Sequence, residues 1–366
     1  MSSIYLDHNA TTPLDPRVTA TLKEHLDHFQ ANPSSLHTFG RQQKQAVIAA
    51  HRTVADAFSV KPQQVIFTSG GTEGMNHLLK GIVAPEAHII STAVEHSAVR
   101  ETLRAFPHVT TLPVGASGGV TLEAVAAAVT ERTELICCMM VNNETGVKNP
   151  IAEIGLYALE KGIPFIVDAV AAVGKEPFVI PPGVSAICFS GHKLHAPQGV
   201  GCVILQKGVK LRPLLVGGEQ EGKRRGGTEN VLGMVGLAKA IELLAEELPE
   251  ATVRMAHLRD RFEKSLLGAF PHITVNGHGP RIANTSNLLF DGVDGETLLI
   301  QLDQQGIAAS HGSACSAGAL EPSPVLLAMG LSHQQARSSI RFSLSRFTTE
   351  QEIDQTLDIL FSLLKK

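Results

Sequence analysis

Several polar side chains stand where an α/β chain usually carries its chemistry. Lys193 closes Ser190–Lys193 (SGHK), directly after the apolar stretch Ala186–Ser190 (AICFS). A lysine in that position can be desolvated, lose its proton and form a Schiff base. A solvated loop lysine is the plainer alternative. Asp168 lies near the end of Pro164–Ala169 (PFIVDA). A carboxylate at the C-terminal end of a strand faces the usual ligand crevice and can hold a protonated ring nitrogen. A helix cap or a satisfied loop Asp explains it too. Thr68–Thr72 (TSGGT) joins a strand to a helix. Gly70 and Gly71 let the backbone approach a ligand, and the helix N-terminus with the Thr72 hydroxyl suits one phosphate. No Gly-Lys-Ser/Thr follows, so a triphosphate loop is not indicated. A tight turn is the competing reading.

Further candidates follow the same pattern. Glu95–His96 comes after His88–Thr92 (HIIST), and His96 could stack on a flat cofactor or shuttle protons. Asn142–Gly146 (NNETG) follows Leu135–Val141 (LICCMMV) and could bind a cofactor hydroxyl, or be an ordinary turn. Arg341, in Ser339–Arg346 (SIRFSLSR), sits among apolar neighbours and needs an anion. A bidentate carboxylate fits, whether from a substrate or from a structural salt bridge. Ser310–Pro322 (SHGSACSAGALEP) is rich in small residues and carries Cys315, a candidate nucleophile on a loop. Gly217–Asn230 (GGEQEGKRRGGTEN) is a polar, Gly-rich loop with Lys223, Arg224 and Arg225. It could close over a phosphate of its own or a neighbouring subunit, or be a flexible surface loop.

The elements that must position these residues alternate along the chain. Strands are expected at Gln64–Thr68, His88–Thr92, Val109–Val114, Leu135–Val141, Pro164–Ala169, Ala186–Ser190 and Gly201–Gln206. Helical stretches, including Arg41–Ser59, Thr121–Thr130 and Ile151–Lys161, lie between several of them. This order argues for a largely parallel sheet covered by helices. A long helical pattern runs from Val231 to Leu267, and Pro249 is expected to break it, with a domain boundary near residues 250–256. Beyond it, Arg281–Phe290, Gly295–Gln304, Ile307–Ser310, Ser339–Ser345 and Thr349–Leu364 read as a smaller α+β unit.

Composition narrows the classes. The chain has 366 residues, 43% hydrophobic and 18% charged, which excludes a disordered chain. A formal charge of −4 with no Trp and two Tyr disfavours direct nucleic-acid binding. No apolar run is long enough to span a membrane and no signal peptide is evident, so a cytoplasmic location is expected. Five Cys, with Cys137 and Cys138 adjacent, fit free thiols rather than a disulfide framework. Cys137, Cys138, Cys188 and Cys202 fall in apolar strands and are expected in the core. Sixteen His show no convincing metal-ligand spacing, so no metal site is expected.

Taken in order, these segments resemble the cysteine desulfurases of the NifS/IscS-like kind, class V of the fold-type I pyridoxal-phosphate enzymes. The resemblance runs almost end to end. It is carried by YLDHNATTP at Tyr5–Pro13, NPSS at Asn32–Ser35, TSGGTE, EH, VNNETG, VDA, FSGHK, RRGGTEN, GSACSAGALEPSPVL and SSIRFSLSRFT. The LEPS after the cysteine is similar to the long-loop group I. The resemblance implies a large domain, residues 14–252, with a mainly parallel seven-stranded sheet. A small α+β domain would comprise 1–13 and 253–366. Pyridoxal 5′-phosphate would be held by Lys193, with Asp168 on its ring nitrogen, His96 stacked on the ring and Asn143 at its substituents. Gly71, Thr72, Ser190 and His192 would bind its phosphate, with Thr228 supplied by the second subunit of a homodimer. Asn32 and Arg341 would hold the carboxylate of L-cysteine, and Lys193 would move its α-proton. Cys315 would take the sulfur as a persulfide for a protein acceptor such as an iron–sulfur scaffold.

The chain departs from the family at three places. Val170 and Ala171 follow the VDA motif where the family usually has Thr-Gln, whose Gln bonds the cofactor's phenolic oxygen. Glu219 replaces a third Gly, and Ala31 precedes Asn32 instead of Gly. Two alternatives stay open on sequence: a relative acting on selenocysteine, cysteine sulfinate or another amino acid, and a sulfur-transfer scaffold without turnover.

Overall fold

The computed structural model describes the chain except residues 1–2, 28–29, 178, 313–321 and 366. A short strand, β1 (Ile4–Tyr5), comes first. Seven strands then form the large sheet: β2 (Val65–Thr68), β3 (His88–Thr92), β4 (His108–Leu112), β5 (Thr133–Met139), β6 (Phe165–Asp168), β7 (Ala186–Ser190) and β8 (Gly201–Leu205). Their order is β2-β8-β7-β6-β5-β3-β4. Only β8 runs against its neighbours; the other pairings are parallel. The remaining strands are β9 (Ile273–Val275), β10 (Thr285–Phe290), β11 (Ile307–Ala308) and β12 (Ser339–Ser343). β12, β10 and β9 make a three-stranded antiparallel sheet, and β1 pairs in parallel with β11.

Both faces of the large sheet are buried, which is why its strands read as unbroken apolar runs. Along β5, Leu135 and Cys137 pack on one side, Ile136 and Cys138 on the other. The same alternation places Cys188 with the first set and Cys202 with the second. All four thiols are buried, and burial pushes each well above the ordinary thiol range. A separate core forms against the small sheet from Ile4, Leu6, Phe290, Phe342 and Ile353, among others.

The expected break at Pro249 does not occur. One helix runs from Val231 to Ala269 with Pro249 inside it. A proline within a helix costs ~3 kcal/mol through its missing N–H and its clash with the carbonyl one turn back. Here Leu237, Leu243, Leu244 and Leu248 bury into the large-sheet core, and Met255, Leu258, Phe262 and Leu266 into the small-sheet core. Each such side chain contributes ~1.5–3 kcal/mol on burial, so packing on both sides outweighs the local penalty. The change of core falls near Pro249, but along a continuous helix. Among the described residues no helix is long and apolar enough to cross a membrane.

Candidate active site

The parallel strands point their C-terminal ends to one side of the sheet, where a cavity of about 160 Å³ opens. Asp168 ends β6, Ser190 ends β7, and Met139 ends β5. Gly71 and Thr72 follow β2, and His96 follows β3. All line the cavity, together with Asn143, His192, Lys193 and Arg341. A wider recess of about 700 Å³, between the helix Thr38–Ala57 and loop 217–230, is lined by Arg224 of that loop but by none of the residues expected to hold cofactor or substrate.

The phosphate-type turn is glycine-dependent by close contact. A Cβ on Gly71 would lie 2.7 Å from Val170 Cγ2, and one on Gly201 would lie 2.6 Å from Gly70 Cα. The helix Gly71–Ile82 opens there, so its first N–H groups and its dipole favour an anion. Gly71, Thr72, Ser190 and His192 also border an adjoining open recess of about 420 Å³. The His192 Nδ1 lies 3.1 Å from Thr11 Oγ1. Burial first, then the charges of Lys193 and Lys175, lowers its pKa to about 4, so the imidazole is neutral at pH 7.

Asp168 is buried, and its Oδ1 accepts one hydrogen bond, from Val170 N–H at 2.9 Å. Burial raises its pKa, against the pull of His96, the Val170 bond and Lys193. A buried carboxylate in this state gains most from a cationic N–H placed in the cavity. A protonated pyridine nitrogen meets that need, and the Gly71 cradle with the helix N-terminus meets the need of a phosphate. The residues present therefore fit pyridoxal phosphate. His96 caps the helix Ser97–Leu103 by accepting Ala98 N–H on Nδ1 at 3.1 Å. With Nδ1 accepting, the ring N–H of that tautomer is on Nε2.

Lys193 is half-buried, and its Nζ donates to the carbonyls of Asn9 and, at 2.7 Å, of Ala10. Arg341 is 1% exposed. Its Nη2 donates to Asp7 Oδ1 at 2.7 Å and its Nη1 to Asn143 O at 3.0 Å, while Nε has no partner. The anion that Arg341 needs is thus partly supplied by the chain itself. Asn32 and Thr228 are both exposed and do not line the cavity of this single chain; Asn32 Oδ1 accepts Ser34 N–H at 2.9 Å. Cys315 lies outside the described residues.

Four participants were given no role by the sequence reading. Asn9 and Ala10 hold Lys193, and no local pattern in YLDHNATTP announces that. Lys175 lines the cavity at 2% exposure and donates to Lys193 O at 2.8 Å. Burial, with the charges of Lys193 and Arg346, pushes its pKa down to about 7. Its one signal was a lone charge closing the small-residue run Ala169–Gly174. Glu95 is wholly buried and ties the end of β3 to that of β5, accepting Thr92 Oγ1–H at 2.7 Å and Met139 N–H at 2.9 Å. Burial pushes its pKa up to about 8.

The chain matches the model of the aminotransferase class-V family over residues 4–356. It is 47% identical to cysteine desulfurase 2 of Trichormus variabilis, covering 100% of this chain and 94% of that protein. A solved NifS-like protein superposes with a TM-score of 0.91 at 34% identity, covering 99% of each chain. A structure of SspA in complex with cysteine superposes with a TM-score of 0.81 at 30% identity, over 95% of this chain and 100% of that one.

Proposed function

Because this chain belongs to the aminotransferase class-V family, we propose that it is a pyridoxal-phosphate-dependent cysteine desulfurase. It converts L-cysteine to L-alanine and leaves the sulfur on Cys315 as a persulfide. The observation that supports this reading best is the meeting of Asp168, Lys193 and Arg341 in one cavity at the strand ends. A ring-nitrogen partner, a Schiff-base amine and a carboxylate clamp are the groups such a reaction needs.

When bound, pyridoxal phosphate supplies an aldehyde for amine exchange and a ring that takes up charge as the α-proton leaves. Asp168 keeps a proton on the ring nitrogen. Gly71, Thr72, Ser190 and neutral His192 would hold the phosphate, and His96 and Asn143 would contact the ring. Lys193 is the amine that would hold the cofactor's aldehyde, and it would carry the substrate α-proton. Arg341 holds the substrate carboxylate, for which it must share or release Asp7; Asn32 stands outside the cavity of the single chain. The Cys315 thiolate attacks the substrate sulfur, so an S–S bond forms as the C–S bond breaks. The carbon skeleton takes up the protons and leaves as alanine, which balances a thiol and cysteine against a persulfide and alanine. A homodimer would bring in Thr228 of the second copy. The sulfur passes to a protein acceptor of the iron–sulfur scaffold kind, in the cytoplasm.

Purified protein should show a visible absorption band that Lys193→Ala abolishes. Alanine release from L-cysteine should vanish in Cys315→Ala. Fully loaded wild type releasing no alanine would overturn the assignment. A second reading rests on Val170 and Ala171, which give the cavity wall beside Asp168 apolar side chains. Their lack of a donor favours a specialised relative acting on selenocysteine or cysteine sulfinate. Faster turnover of L-cysteine than of either would remove it.

A further inference from the structure

The loop Gly217–Asn230 carries Lys223, Arg224 and Arg225, a basic cluster that could face a phosphate directly. Arg225 does not border the phosphate recess. Its Nε donates to Glu73 Oε1 at 2.9 Å and its Nη2 to Glu73 Oε2 at 3.3 Å. Only 21% of the Arg225 side chain and 10% of the Glu73 side chain are exposed. Glu73 Oε2 also accepts Ser69 N–H at 2.7 Å. Burial works to raise the Glu73 pKa, but the Arg225 and Ser69 bonds outweigh it and hold the carboxyl below its ordinary range. Glu73 is therefore an anion at pH 7.

That charge stands where another anion is expected. Glu73 borders the open recess beside Gly71, Thr72, Ser190 and His192. His192 is neutral, and Lys193, Lys175 and Arg341 line the inner cavity instead. Among the described residues on the recess wall, Glu73 is thus the one with a full charge, and its sign is that of a phosphate. Gly70 brings no side chain to the N-cap of the helix Gly71–Ile82, which leaves the first N–H groups to an anion. A carboxylate on the first turn opposes that anion unless a cation answers it. Arg225 is the cation in contact, and it is held on both sides. Gly226 N–H donates to Leu215 O at 2.9 Å. Glu221, with its side chain 4% exposed, accepts Phe67 N–H of β2 at 3.1 Å and lies 3.2 Å from His51 Nε2.

We propose that Arg225 is a positioning residue for the cofactor phosphate that acts through Glu73. It cancels the carboxylate charge beside the recess and keeps the carboxylate on Ser69 N–H. The proposal rests on the reading of this recess as the phosphate site. The basic loop then serves the phosphate of its own chain by cancelling a charge, without touching the phosphate through Arg225.

The test titrates full-length, cofactor-free protein with pyridoxal 5′-phosphate and with pyridoxal, read by the absorbance of the bound aldehyde. Both aldehydes react with the Lys193 amine, so the ratio of their dissociation constants isolates the phosphate. Arg225→Gln leaves the Glu73 charge standing and should weaken pyridoxal phosphate about tenfold, with pyridoxal unchanged. Glu73→Gln keeps an acceptor oxygen for Ser69 and removes the opposing charge, so it should bind pyridoxal phosphate at least as tightly as wild type. The double variant should return to within about twofold of wild type. The Arg225→Gln deficit should shrink as ionic strength rises from about 0.01 M to about 1 M, where the screening length falls from about 30 Å to about 3 Å.

A pair that serves only the fold predicts other results. Weaker pyridoxal phosphate binding in Glu73→Gln, a double variant as weak as Arg225→Gln, or equal loss of both aldehydes would overturn the proposal. So would a deficit that salt does not change. If Arg225→Gln does not fold, Arg225→Lys and Glu73→Gln decide: the lysine keeps the charge and should stay close to wild type, and a loss in either sinks the proposal. If wild type binds pyridoxal as tightly as pyridoxal phosphate, the phosphate reading of the recess fails and takes the proposal with it. If wild type discriminates and the variants depart from these expectations, the proposal alone fails.

Discussion

The cavity has two polar walls built in different ways. The large sheet supplies Asp168, Ser190, His96 and Lys193 from the ends of strands or the turns directly after them. Each is placed by the strand it follows, and the sheet behind is dry. The opposite wall joins the N-terminal segment to the small sheet. There Arg341 of β12 reaches Asp7, and Asn9 Nδ2 donates to Thr285 Oγ1 of β10 at 2.9 Å. The first wall holds groups under electrostatic strain: Asp168 is raised and Lys175, beside Lys193, is lowered. The second wall holds groups already paired. One wall is built for reaction at the expense of stability, the other for cohesion.

The sharpest way to break that contrast is Asp168→Asn. Alanine formation should fall roughly 10²–10⁴-fold, the usual scale for losing a group that sets a proton. Because burial raises the Asp168 pKa, its ionised form is disfavoured in the fold, and stability from this group is lost as pH rises past its unfolded value. Cofactor-free Asp168→Asn should therefore melt at or above the wild-type temperature at pH 7. A clear drop would show that Asp168 is a cohesive group after all.

The second wall should respond the other way. Asp7→Ala strands Arg341, which is nearly unexposed, and should lower unfolding stability by about 3 kcal/mol, read by denaturant titration of cofactor-free protein. No measurable loss would dissolve the distinction between the walls.

The smallest effect is expected from Lys175→Met. A lysine with pKa of about 7 in the fold and about 10.4 unfolded is protonated only in the unfolded chain between those values. Wild-type stability should thus fall as pH drops from about 10 to about 7, then level off. The variant should lack that slope and melt above wild type by about pH 7, measured by thermal melts across the range from about pH 6 to about pH 10. Parallel curves for the two proteins would place the charge elsewhere.

Much of the first wall was legible because strand ends write themselves locally. An apolar run followed by SGHK or DA marks its own terminus, and the parallel topology brings such termini together. The long helix shows the limit of local reading. Propensity alone expects a stop at Pro249, yet two cores hold the helix together across it. The second wall was less legible for a related reason. Arg341 announced a need for an anion, but both a substrate and a structural partner satisfy that need, and nothing near it in sequence names Asp7.

Residue type and order were sufficient to determine the α/β sheet, the glycine turn after β2, the strand-end positions of Asp168 and Lys193, and the burial of Cys137, Cys138, Cys188 and Cys202. Each depends on periodicity or on residues a few positions apart. Only the tertiary structure decided that Arg341 is held by Asp7, that Lys193 rests on Asn9 and Ala10, that Lys175 enters the cavity, and that Glu144 accepts from Ser323. These contacts join segments far apart in the chain, and their energy depends on burial and distance, which no local pattern encodes.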